Sequence, residues 1–203
     1  MSHLHTAAPH TPPHTQPSPP PTRGRIIGRW MVSFLGYPLG GYVAFLLTGR
    51  VDSPGPALAG GFLTGAVLGA IQVWAMGQAR PRPLAWILAT AVGLMAGVAA
   101  GAAVVDYQTD LGSLVVQGAV TGALVGLAQA IVLMPQLGVL AFAWPLLLSG
   151  TLALSWAVTT SIGIDVDQQF TIFGASGALV ATLLTAVLPL VLHSRHHTEL
   201  APS

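Results

Sequence analysis

The chain has 203 residues, of which 53% are hydrophobic and only 6% charged, and its mean hydropathy is +0.71. A soluble domain carries about 25% charged residues, so this chain cannot cover a water-facing surface and most of its outer surface is expected to meet lipid. A formal net charge of +1 argues against a nucleic-acid partner, and the absence of cysteine excludes disulfides, thiolate chemistry and Cys-based metal or iron–sulfur sites.

Residues 1–22 form a low-complexity stretch in which Pro alternates with Thr, Ser and His, with almost nothing apolar to bury. A disordered, polyproline II-like cytoplasmic tail is expected there. His3, His5, His10 and His14 lie in it, and His193, His196 and His197 lie near the other end. Metal capture by these ends is one reading; unpaired imidazoles in flexible polar tails is preferred, because nothing imposes a ligand geometry. The first apolar segment starts far from Met1 and no small-x-small site follows it, which argues against a cleaved signal peptide.

Arg23, Arg25 and Arg29 precede the first apolar segment, Trp30–Thr48, and five more follow at about 57–77, 84–105, 113–134, 143–162 and 170–192. Each approaches or exceeds the ~20 residues a helix needs to span a hydrocarbon core. Strands of a membrane barrel would be half as long and would alternate polar with apolar. An all-α membrane protein of six transmembrane helices is therefore predicted, spanning residues 23–193, with a short tail at 194–203. Six of the seven arginines fall on one side of these segments, against Arg50 on the other. Asp52, Asp106, Asp110, Asp165 and Asp167 collect with Arg50. The arginine bias predicts that both termini are cytoplasmic.

The segments also repeat in pairs, at about 30–83, 84–142 and 143–193. Trp30, Trp86 and Trp144 open the odd-numbered helices, 56 (86 − 30) and 58 (144 − 86) residues apart. A glycine follows each (Gly36, Gly93, Gly150), then an aspartate (Asp52, Asp106, Asp165), then a small hydroxyl–glycine step at Thr64-Gly65, Thr121-Gly122 and Ser176-Gly177. Three hairpins of one orientation predict a pseudo-threefold axis along the membrane normal. The tryptophans are expected at the headgroup level, and Pro38 is expected to bend the first helix. An acidic vestibule formed by the aspartates is a weaker alternative to solvated loop residues.

The even-numbered helices carry the strongest local pattern. Gly61, Gly65 and Gly69 recur every fourth residue and Gln72 follows; Gly118, Gly122 and Gly126 recur likewise and Gln129 follows. At about 100° per residue the first set projects at roughly 0°, 40°, 80° and 20°, a single helix face. Such a face packs helices closely. The two glutamines should look inward and pair their amides; in the third copy Leu184 stands near that level, with Thr182 and Thr185 alongside. A structural clamp is preferred to a pore constriction.

No Asp, Glu, Lys, Arg or His stands inside the six segments. That removes a proton relay, a buried counter-ion and any general acid or base within the bilayer, so an enzyme is not expected, nor a cofactor. The G-A-x-x-G-x-x-Q run after a Trp-led helix resembles a class of small, uncharacterised multispan prokaryotic membrane proteins, over residues 30–192. That resemblance carries no activity. Mitochondrial carriers share three two-helix repeats, but their P-x-[D/E]-x-x-[K/R] signature is missing here.

Two functions remain open. A non-enzymatic scaffold or accessory subunit predicts a dry, glycine-lined centre with Gln72 and Gln129 bonded to neighbouring helices. A channel or facilitator for a small neutral solute predicts a continuous polar cavity. The expected partners are the lipid bilayer and either another membrane protein or further copies of the chain.

Overall fold

A computed structural model describes residues 21–163 and 175–200, with side chains through residue 196. The described residues are all-helical, without strands. The α-helices are α1 (Arg23–Met31), α2 (Gly36–Thr48), α3 (Pro54–Met76), α4 (Pro83–Val104), α5 (Leu111–Leu137), α6 (Ala143–Ser161), α7 (Ala175–Thr185) and α8 (Val187–Leu200). Five helical stretches are long and apolar enough to cross a membrane. The fourth, Leu111–Ser161, runs for 51 residues because a 3₁₀ segment, Gly138–Phe142, joins α5 to α6 without a break. The chain reverses there: Gly138, at φ +56°, caps α5, and α6 packs back against it.

Two prolines explain the breaks inside the first and last stretches. A proline lacks the N–H that would bond the carbonyl four residues earlier. Pro38 thus frees Phe34, and the chain adopts a 3₁₀ turn over Val32–Leu35 between α1 and α2. The bend expected at Pro38 takes that form. Pro189 likewise frees Thr185, the last residue of α7, and Ala186 bonds only Leu183, at 3.2 Å. Helix also reaches further than expected at both ends. It begins at Arg23 rather than Trp30, and α8 runs on to Leu200 through the short tail expected from 194.

From α2 to α7 consecutive helices pack against one another, and α7 reaches α2 and α1 on its other side. The six thereby close into a ring. The ring's exterior is apolar: Leu46, Leu47, Ile131 and Leu146 are 61%, 69%, 74% and 77% exposed. At one end arginines cap helix C-termini, where free carbonyls and the helix dipole favour a cation. Arg29 donates to the Trp74 carbonyl at 2.5 Å and lies over the Trp74 ring, and Arg195 donates to the Gln136 carbonyl at 3.4 Å. At the other end Asp110 caps α5, accepting from the Gly112 and Ser113 amides. Of the aspartates expected to collect at this end, Asp165 and Asp167 lie outside the described residues, as do His3, His5, His10 and His14.

Candidate functional site: a clasped ring around an axial cavity

The glycines act between helices rather than around the centre. A Cβ built on Gly65 would lie 2.6 Å from the Ala91 Cα, and one on Gly61 2.7 Å from the Leu94 carbonyl oxygen, so α3 touches the α4 backbone directly. Gly69 lies against Ile87 and Thr90 in the same seam. On α5 the same pattern meets α6: Gly118 against Leu152 and Trp156, Gly122 against the Leu148 carbonyl, and Gly126 against Pro145. The helix-packing face read from the sequence is therefore present twice. A glycine-lined centre is not: no glycine lines the cavity on the ring axis.

The hydroxyl–glycine steps diverge. Thr121 donates to the Gly97 carbonyl of α4 at 3.0 Å. Thr64, fully buried at the matching position of α3, has no partner for its hydroxyl among the described residues. Ser176 stands 3.5 Å from the Thr159 hydroxyl, across α6 and α7.

Both glutamines turn inward as expected, with Gln72 6% and Gln129 2% exposed. They bond to tryptophans instead of to each other. The Trp86 indole N–H donates to Gln72 Oε1 at 3.1 Å, and the Trp144 indole N–H donates to Gln129 Oε1 at 2.7 Å. An indole N–H has no other outlet in an apolar interior, and the amide oxygen supplies it. Gln129 then donates through Nε2 to the Thr90 hydroxyl at 2.9 Å, and Thr90 donates to the Trp86 carbonyl at 2.8 Å. One chain of hydrogen bonds therefore links α6, α5 and α4, and the Trp86 indole extends it to α3.

The third clasp closes the ring with different chemistry. Leu184, which follows Gly177 by seven residues as Gln72 follows Gly65, points outward and is 42% exposed. Thr185 is buried instead, and the Trp30 indole donates to the Thr182 carbonyl at 3.0 Å with the Thr185 hydroxyl at 3.3 Å. The Thr182 carbonyl is available because α7 stops: the N–H that would fill it in a longer helix, that of Ala186, bonds Leu183. A helix break thus supplies the acceptor that a missing glutamine would have given.

Trp30, Trp86 and Trp144 are 1%, 0% and 7% exposed, so their rings face the bundle interior instead of its outer surface. Composition could not place them. Their recurrence at almost the same interval as Gln72 and Gln129 was the available signal, because two residue types repeating in one register are candidates to touch.

On the ring axis lies a cavity of about 40 Å³, room for roughly three waters. Its polar lining has two levels. Gln72, Thr90, Gln129 and Thr185 stand at one, and Thr121 and Gln117 stand on α5 eight and twelve residues before Gln129, about 12 and 18 Å away at 1.5 Å per residue. Leu68, Leu94, Val125 and Leu148 separate the two levels. No lining residue is charged, and among the described residues no group of His, Cys, Asp or Glu could hold a metal ion. Gln117 was not singled out from the sequence, for it stands outside the glycine–glutamine pattern. Comparison with known protein families, curated proteins and solved structures returns no match.

Proposed function

We propose that the chain is a non-enzymatic membrane scaffold or accessory subunit. In this reading α5 and α6 cross separately, giving six crossings as three two-helix repeats about a pseudo-threefold axis, with both termini on the cytoplasmic side of a prokaryotic plasma membrane. The observation that carries it is the use to which the buried polar groups are put. Gln72 and Gln129, the only amides the repeat pattern marks, each hold the tryptophan of the following helix. The glycines supply close backbone contact, and the apolar exterior offers a face to lipid or to a partner helix.

The absence of cysteine makes the topology directly testable. Single cysteines introduced for Gln78 and Leu140 should react with a membrane-impermeant maleimide only from the cytoplasmic side, and one for Gln108 only from outside. Labelling of the residue 140 position from outside would end the six-crossing reading. The scaffold role is tested by Gln72→Leu/Gln129→Leu in liposomes. It predicts a protein less stable in detergent by about 1–3 kcal/mol, with the flux of small neutral solutes equal to that of empty liposomes before and after substitution. A wild-type-dependent flux that the double variant abolishes would instead establish the second reading, a facilitator for a small neutral solute, which the axial cavity favours.

A further inference from the structure

Of the three side-chain amides that line the axial cavity, Gln117 is the one the clasps do not use. Gln117 is 9% exposed, lines the cavity, and among the described residues no hydrogen bond ties down its side-chain amide. Its backbone is fixed: a Cβ on Gly101 would lie 2.8 Å from the Gln117 carbonyl oxygen, so α4 and α5 are in contact there. The next residue, Gly118, seats the Trp156 ring, which also lines the cavity. An amide that faces the cavity without a protein partner can bond what enters there, and a ligand bearing a hydrogen-bonding group would supply that partner.

We propose that the axial cavity is a binding site for one small uncharged solute carrying an amide or hydroxyl group, docked on the Gln117 amide against Trp156. Charge is excluded because nothing in the lining could neutralise it, and burying an unpaired ion is far costlier than burying a dipole. Size is limited by a volume of about 40 Å³, which fits a solute of about three to four heavy atoms. The apolar body of such a solute would meet Val98 and Leu152. This site is independent of the scaffold role, since it requires neither transport nor a protein partner.

The test uses acetamide and its charged isostere, acetate, titrated into the full chain in liposomes while tryptophan emission is followed. Acetamide should give a saturable change with half-saturation in the millimolar range, as expected for a ligand of four heavy atoms. Acetate at pH 8 should give none. Gln117→Leu should weaken the acetamide response at least tenfold. Val98→Met, which fills the cavity without touching the amide, should abolish it, and keeps the test decisive if Gln117→Leu does not fold. An acetamide response that is linear, or equal in wild type and both folded variants, overturns the proposal; so does the absence of any response, which would leave the cavity to water alone.

Discussion

The α3–α6 side of the ring and the seam where α7 meets α1 and α2 solve one problem with different materials. On the first side, three glycines per seam bring backbones together and a glutamine receives the tryptophan N–H. At the closing seam the glutamine is replaced by an outward-facing leucine, and Trp30 takes a backbone carbonyl exposed by a helix break. Gly150 of α6, which matches Gly36 and Gly93 in sequence, has open space where they meet α3 and α5. The lesson is that ring closure requires an acceptor at each tryptophan, while its chemical identity is free to vary. A side-chain acceptor belongs to one residue and can be deleted; a carbonyl belongs to the helix and cannot.

The largest effect expected comes from adding a methyl group inside a glycine seam and, for comparison, at Gly150, which touches no neighbouring helix. Gly122→Ala drives its Cβ into the Leu148 carbonyl, where only movement of a whole helix gives relief. Overpacking of this kind costs about 1–3 kcal/mol. Gly150→Ala meets open space and should change stability by less than about 0.5 kcal/mol. Thermal unfolding of both variants in detergent checks the pair; equal destabilisation would show that the α5–α6 glycine seam is not closely packed.

Double-mutant cycles sharpen it further. Trp144→Phe with Gln129→Leu should give a coupling of about 0.6–1.7 kcal/mol, the range for hydrogen bonds between membrane helices. Trp30→Phe with Thr185→Ala should give a coupling near zero, because the shorter bond is to the Thr182 carbonyl, which the substitution leaves in place. A large coupling at Trp30 would show that the hydroxyl, not the carbonyl, is the working acceptor.

The smallest effect is electrostatic and lies at the aspartate end. The Ser113 hydroxyl bonded to Asp110, helped by the Ser113 amide, holds that carboxyl below the usual carboxylate range. Its folded value therefore lies below the unfolded one, near 3.9. The contribution to stability is complete above that unfolded value and is lost as pH falls through the folded value. Asp110 is fully exposed, so solvent screens the effect. Ser113→Ala should shrink the acid-induced fall in melting temperature slightly below pH 4, and leave stability above pH 5 less altered than either seam variant does.

Much of this architecture was legible in the residues themselves. Charge poverty and apolar length announced helices long and apolar enough to cross a membrane, because neither suits a water-facing surface. The spacing of Gly61, Gly65, Gly69 and of Gly118, Gly122, Gly126 announced the close seams, because a helix of fixed pitch puts such positions on one face. The inward direction of Gln72 and Gln129 followed from the same pitch. What each glutamine bonds was not legible, since a partner is chosen by the neighbouring helix and not by the glutamine's own.

Only the tertiary structure brought Trp86 to Gln72 and Trp144 to Gln129, turned Leu184 outward, and exposed the Thr182 carbonyl to Trp30. It alone placed Gln117 beside a cavity on the axis. Sequence periodicity fixes directions within one helix, to within a fraction of a turn. Contacts between helices depend on their relative rotation and height, and a one-residue change in register, like that between Leu184 and Thr185, is enough to exchange the inside for the outside.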